Sequence, residues 1–243
     1  MVHTLPDYTT KYKMTTIFGK IDDAELAARL GSIDSFDRRG NVVWMEDFEA
    51  PIHDWQHTDV GAESDMRLVA NHHYTGGQCM ELEIDNAVDD SVDMYRCLRK
   101  PVYGRLGFEI AYLPDWQNND LEIDHDVDNS IIQYNPKIYY DDSASTWKYW
   151  DRLGVYQDLT PTVKIEDYWE MWHNIKLVID VSTGKYVRLI VDDTTFDLSG
   201  YAMEQVATNG YDSMFIHYKV IQKVAVANSI AHLDNFIATQ NEI

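Results

Sequence analysis

From Asn41 onward, apolar and polar residues alternate in short runs separated by turn residues. The clearest run is Trp172-His-Asn-Ile-Lys-Leu-Val-Ile-Asp180, which sets apolar Ile175, Leu177 and Ile179 against polar Asn174 and Lys176. It turns at Thr183-Gly184 into Tyr186-Val-Arg-Leu-Ile-Val191, and this pattern predicts a β-hairpin. The same reading predicts strands over 42–48, 66–70, 78–85, 92–99, 105–113, 121–126, 130–134, 137–141, 173–181, 185–192, 194–198, 213–221 and 231–239. Turn residues punctuate them at Thr75-Gly-Gly77, Asn118-Asn-Asp120, Asp151 to Gly154 and Ser182-Thr-Gly184. Many strands at short spacing, with no helices between them, predict an all-β sandwich or barrel and not a βαβ sheet.

Residues 1–40 depart from this pattern. Asp22-Asp-Ala-Glu25-Leu-Ala-Ala-Arg-Leu30-Gly31 predicts a short helix, with an Asp cap, a Glu three residues later and a closing glycine. The expected organisation is an N-terminal arm with a short helix over 1–40 and one β-sandwich domain over 41–243. The arm is suited to wrap its own domain or to lie on a neighbour.

Charge changes the picture of partners. With 41 acidic and 20 basic residues the formal charge is −21, so the basic face needed for nucleic acid or an anionic membrane is not expected. No apolar run approaches the roughly 18 residues that span a bilayer. The start, Met1-Val-His-Thr-Leu-Pro-Asp-Tyr8, has no basic region followed by an apolar stretch. The expected location is therefore the cytoplasm of the producing cell or a virion. Cys79 and Cys97 lie symmetrically about Val88. A hairpin there would set them opposite each other, either as a disulfide or as two reduced, buried thiols.

Three groups of residues carry candidate chemistry. The first is a pair of bookends, Trp44-Met-Glu-Asp-Phe-Glu49 and Ala231-His-Leu-Asp-Asn-Phe-Ile-Ala-Thr239, each a strand with carboxylates among apolar neighbours. First and last strands of a sandwich commonly pair, so Glu49 and Asp234, with Asp47 as a third ligand, are candidates to hold one structural Ca2+. Chelation should then lower the melting temperature, and Asp234→Ala should abolish that response. The second is Leu121-Glu-Ile-Asp-His-Asp126, where strand alternation puts Glu122, Asp124 and Asp126 on one face, the outer carboxylates roughly 6–7 Å apart. The third is the aromatic cluster Tyr139-Tyr140, Trp147 and Tyr149-Trp150 beside Asp141, Asp142 and Asp151. Tyr140, Trp147, Tyr149 and Trp150 are candidates for a glycan or protein contact surface, with core packing as the alternative. No Gly-x-Ser-x-Gly, Cys–His pairing, His-Glu-x-x-His or Gly-rich phosphate loop occurs.

At Asp47-Phe-Glu49 with Trp55, Arg105-Leu-Gly-Phe-Glu109, the Trp172–Val191 hairpin and Leu233-Asp-Asn-Phe236, the chain resembles the concanavalin A-like jelly-roll superfamily. That superfamily includes laminin-G-like domains and many carbohydrate-binding modules. The resemblance implies a jelly-roll β-sandwich over about 41–240 and a cation tying the first strand to the last. Retaining glycosidases of the laminarinase type share this superfold and carry a Glu-x-Asp-x-Glu strand, which makes Glu122 and Asp126 weak catalytic candidates. Here the last position is an aspartate, and the tryptophan-rich flanks of that motif are absent. More narrowly, Glu25-Leu-Ala-Ala-Arg-Leu-Gly-Ser32 through Phe36–Glu49 and Thr239-Gln-Asn-Glu242 resemble jelly-roll proteins of phage and environmental viral sequences. This implies a non-catalytic virion component, a capsid or tail decoration protein whose arm contacts other subunits as a homo-oligomer or with virion proteins. The alternative expectation is a carbohydrate-binding module or glycoside hydrolase, with a groove lined by Trp147 or Trp150 and the acids inside it.

Overall fold

The computed structural model describes residues 36–37, 39–50, 53–99, 103–114, 119–166, 171–208, 210, 212–225 and 228–243. The helix expected over Asp22–Leu30 and the arm before Phe36 lie outside the described residues. The described strands are, in order, β1 (Asn41–Glu46), β2 (Gln56–Val60), β3 (Asp65–Val69), β4 (Cys79–Ile84), β5 (Ser91–Arg99), β6 (Arg105–Leu113), β7 (Asn119–Asn129), β8 (Ile132–Asn135) and β9 (Lys137–Asp141). There follow β10 (Thr146–Trp150), β11 (Tyr156–Asp158), β12 (His173–Asp180), β13 (Lys185–Val191), β14 (Thr194–Asp197), β15 (Glu204–Ala207), β16 (Asp212–Gln222) and β17 (Ser229–Gln240).

They form two antiparallel sheets. The back sheet runs β14-β13-β12-β6-β17-β4-β3, and the front sheet runs β11-β10-β9-β7-β16-β5-β2. In the front sheet β8 also pairs with β7 and β15 with β8. The long β17 holds two strands along one edge: β4 pairs with Ser229–Leu233 and β1 with Phe236–Gln240. First and last strands therefore do meet, and Trp44, Phe48, Trp55 and Phe236 cluster where they join. Phe48, Trp55 and Phe236 are buried between the sheets.

Period-two alternation builds the core as expected. Ile175, Leu177 and Ile179 of β12 point inward together with Leu121, Ile123 and Val127 of β7 and Ile216, Tyr218 and Val220 of β16. Four strands had no counterpart in the sequence reading: β2, β10, β11 and β15. The expected β4–β5 hairpin does not form, because β4 lies in the back sheet and β5 in the front. Cys79 and Cys97 are accordingly both free thiols, the first buried and the second exposed. Asp85-Asn86-Ala87-Val88-Asp89-Asp90 crosses between sheets, a turn that residue types alone do not distinguish from a hairpin loop.

The outer face of the back sheet is sealed. Lys176 does leave the core face of β12, as alternation predicts, yet it is 0% exposed. Its Nζ donates to the carbonyls of Asp37 (2.9 Å) and Arg39 (3.2 Å) and pairs with Glu242 Oε1 at 2.9 Å. Asp37 Oδ2 lies 3.4 Å and Glu109 Oε2 3.8 Å from the same ammonium. Arg188 binds Glu242 Oε2 at 2.5 Å and donates to the Ile243 carbonyl at 2.6 Å. Glu109 in turn accepts the Phe36 amide at 2.7 Å. The described end of the arm and the C-terminal residues are thus clamped onto one buried ion cluster of their own domain. Gly107 makes room for it: a Cβ there would lie 2.4 Å from Thr239 Oγ1 and 2.7 Å from Glu242 Oε1.

Candidate functional site

The outer face of the front sheet is part-exposed among the described residues, and β7 supplies its centre. Leu121, Ile123, His125 and Val127 are buried, while Glu122, Asp124 and Asp126 between them are part-exposed on the other side. Unbroken pairing with β16 keeps all three carboxylates on that side.

Strand register then sorts the neighbours into rows. His217 of β16 and Lys137 of β9 flank Asp124, Tyr95 of β5 flanks His217, and Gln56 of β2 flanks Tyr95. On the other side Tyr149 pairs with Ile138, which puts Trp150 beside Lys137, and Tyr156 of β11 pairs with Trp150. One row therefore runs Gln56, Tyr95, His217, Asp124, Lys137, Trp150, Tyr156 across seven of the nine strands. The next runs Thr58, Asp93, Lys219, Glu122, Tyr139, Lys148, Asp158. Six gaps of ~4.8 Å make the row about 29 Å long.

The side chains along it are held in place. The Tyr156 hydroxyl donates to Glu122 Oε2 at 2.8 Å, and Lys137 pairs with Asp124. Trp150 donates its indole N–H to Glu204 Oε2 at 2.9 Å and meets Tyr156 edge-on at 4.7 Å. Tyr139 lies 5.1 Å from Tyr156, and Tyr95 stacks on His217 at 5.3 Å. Asp126 has no hydrogen-bond or ion-pair partner among the described residues. Burial pushes the Asp124 carboxyl up to about 6; Lys137 pulls it down, while Asp126 and Glu122 push it further up. Burial works to lower the His217 pKa, but its hydrogen bond to Asp93 and the charges of Asp93, Asp124 and Asp126 leave it raised.

The aromatic cluster divides between core and surface. β10 alternates, so Trp147 (0% exposed) and Tyr149 point inward while Lys148 and Trp150 point outward. Tyr140 is also core, its hydroxyl oxygen accepting the Ile165 amide at 2.9 Å. Of the four aromatic residues expected at a contact surface, Trp150 alone reaches it, and Tyr140, Trp147 and Tyr149 are corrected to core. Trp147→Ala should therefore cost about 3–5 kcal/mol in chemical denaturation, and Trp150→Ala under half of that. Equal losses would contradict this division.

Glu122 and Asp126 also differ from expectation. On a regular strand their Cα atoms lie about 13 Å apart, and the pairing of β7 with β16 has no bulge to draw them together. The sequence reading missed Tyr95, Lys137, Tyr156, Phe215 and His217. Tyr95, Lys137, Phe215 and His217 fall within predicted strands on the phase opposite the core, but only the pairing order reveals that they share one face with the β7 acids.

The bookend carboxylates converge on the loop between β3 and β4. Glu49 Oε1 accepts the amides of Gly77 (2.6 Å) and Gln78 (2.9 Å). Asp234 Oδ2 accepts those of Tyr74 (2.9 Å) and Thr75 (3.2 Å), and its Oδ1 that of Asn235 (2.7 Å). Asp47 Oδ1 takes the Glu49 amide at 3.2 Å. Gly76, at φ +70°, leaves the space that Glu49 uses, since a Cβ would stand 2.1 Å from its Oε1. These oxygens face N–H donors, and no cluster of three or more His, Cys, Asp or Glu that could hold a metal occurs among the described residues. The donor set does not fit the Ca2+ expected from sequence. Removing Ca2+ with EDTA should leave the melting temperature unchanged, whereas Asp234→Ala should cost about 1–3 kcal/mol for its stranded amides. A chelator-induced drop that Asp234→Ala abolishes would restore the cation.

No family model matches the sequence, and no curated protein does. Similar folds occur among solved structures. One is an endo-β-1,4-glucuronan lyase from the fungus Trichoderma reesei (TM-score 0.53, 11% identity, covering 82% of this chain and 95% of that one). Another is the catalytic domain of a glycoside hydrolase family 131 protein from Coprinopsis cinerea (0.51, 12%, 84% and 96%). A third is the carbohydrate recognition domain of Emp47p (0.50, 10%, 84% and 98%). The chain has the concanavalin A-like jelly-roll fold.

Proposed function

We propose that this protein binds a neutral, linear oligosaccharide across the outer face of the front sheet. The observation that carries the reading is the row from Tyr156 and Trp150 through Asp124 to Tyr95. It sets one pair of rings, Tyr156 and Trp150, and another, Tyr95 and His217, on either side of Asp124 and Lys137; rings suit sugar faces, and the charged groups suit hydroxyls. The length favours an oligosaccharide over a single sugar. Carboxylates of Asp93, Glu122, Asp124 and Asp126 outnumber the ammonium groups of Lys137 and Lys219 at its centre, so a uronate or sulfated chain would be repelled. The proteins of similar fold named above act on or recognise carbohydrates, a glucuronan among them, which supports a carbohydrate ligand without selecting its charge.

The test is a glycan array followed by calorimetry with neutral and acidic oligosaccharides. Neutral chains should bind, and Trp150→Ala should weaken them about tenfold or more, or 1.4 kcal/mol. Loss of neutral binding altogether, or unchanged affinity in Trp150→Ala, would overturn it.

Hydrolysis is a second reading, favoured by one observation: Asp124 keeps its proton up to about 6 between Glu122 and Asp126. It predicts release of reducing ends that Asp124→Asn abolishes. A virion role rests on the first forty residues, and their described part, 36–37 and 39–40, packs on its own domain; what favours carbohydrate is the outer face of the front sheet.

A further inference from the structure

The row does not stop at Tyr95. Beyond it, at the β2 edge of the front sheet, lies a pocket lined by Asp54, Gln56, Tyr95, Arg96, Cys97 and Phe215. Register makes it continuous with the face: Gln56 pairs with Tyr95, Cys97 with Phe215, and Phe215 with Asp126. The geometry points to this pocket as a terminal sugar subsite, filled by the end of the same chain that stacks on Trp150. This rests on the reading proposed above and adds where the chain ends.

Three features suit a sugar there. Asp54 Oδ2 and Arg96 NH2, 2.9 Å apart, set an acceptor beside a donor, the pattern that neighbouring hydroxyls of one ring satisfy together. The Arg96 guanidinium is immobilised over the Trp44 ring at 4.4 Å, so little side-chain freedom is lost on binding. Tyr95 and Phe215 supply ring faces on the same floor. A short oligosaccharide seated on Trp150 and Tyr156 would leave the pocket empty, so the inference also predicts a preference for length.

Cys97 is an exposed thiol in that pocket, and the other cysteine, Cys79, is buried. This permits a direct test on the full chain. Iodoacetamide labelling of Cys97 is followed by peptide mass spectrometry, with Cys97→Ser as the blank. Tryptophan fluorescence is recorded alongside, with Trp150→Phe to identify the signal from the far end. The probes are trisaccharides and hexasaccharides of β-1,4-linked glucose, β-1,3-linked glucose and β-1,4-linked N-acetylglucosamine.

A hexasaccharide that perturbs Trp150 should also slow Cys97 labelling about tenfold at about ten times its Kd. The matching trisaccharide should perturb Trp150 and leave labelling unchanged, and Asp54→Ala should weaken the hexasaccharide alone. Perturbed Trp150 with unprotected Cys97 overturns the subsite and leaves the glycan reading standing. No response to any probe at either end overturns both. Protection of Cys97 without a Trp150 response overturns the claim that one chain fills the two places.

Discussion

Replacing Lys176 by methionine is expected to lower the melting temperature by about 10 °C. The ammonium is fully buried and stands within 4 Å of Asp37, Glu109 and Glu242. Removing it leaves those acids with Arg188 and with Arg39, which pairs with Asp37 at 2.8 Å, and frees two carbonyls, of Asp37 and Arg39. Breaking a buried ion pair from one side costs about 3–5 kcal/mol, and each kcal/mol moves the midpoint of a chain this size by about 2–4 °C. Methionine retains most of the volume, so packing loss adds little. Arg105 makes a useful comparison, because its pair with Asp180 is long (3.6 Å) and its side chain 44% exposed. Arg105→Met should cost under ~1 kcal/mol. Scanning calorimetry of the two variants decides the matter: a Lys176→Met midpoint within about 2 °C of the parent would mean that the cluster does not hold the fold.

The second large effect concerns pH. Burial pushes Glu109 up to about 7 and Asp234 and Asp124 up to about 6, against ordinary values of 4.5, 3.8 and 3.8. The native state therefore keeps protons that the unfolded chain has released. The stability these groups contribute is complete below about 4 and is lost as pH rises through 6 and 7. His125 opposes them: burial pushes it down to about 3, so its contribution is lost as pH falls below 6.5. Between pH 8 and 5 these three carboxylates, joined by His173 and His217, which Asp192 and Asp93 keep raised against burial, act against His125, and at about 1.4 kcal/mol per unit the carboxylates alone outweigh it by a few kcal/mol. The melting temperature should accordingly rise by several degrees on acidification from 8 to 5. Glu109→Gln should flatten the rise, which separates this cause from general relief of the −21 charge. A melting temperature that falls across this window would show that His125 dominates.

How much of this could be read from the chain depends on range. The β12–β13 hairpin was legible because Ile175, Leu177 and Ile179 alternate and a Thr-Gly turn follows. The pairing of first and last strands was legible from two similar carboxylate-bearing runs. Alternation also put Glu122, Asp124 and Asp126 on one face. It could not say that His217, Lys137 and Tyr95 would join them, because register between strands is set by packing across the sandwich. The aromatic run at Thr146–Trp150 lies outside the predicted strands, and only as a strand does its phase separate buried Trp147 from outward Trp150. Lys176 is the sharper case. Its direction out of the core was legible, but its burial depends on Asp37 and Glu242, 139 and 66 residues away in sequence, and short-range pattern carries no such information.

The ion cluster on the back sheet has one more consequence. Lys176 touches both the carbonyl of Asp37 and the carboxylate of Glu242, so Asp37 and Glu242 meet at a single side chain. A short Gly/Ser bridge from Ile243 to Phe36 could then join them, and new ends could be opened at the exposed Ser143–Ala144 turn between β9 and β10. Such a circular permutant would keep every strand pairing described. It would also move the point of attachment from the sealed face to the rim of the part-exposed one, so that the same molecule could be immobilised facing either way.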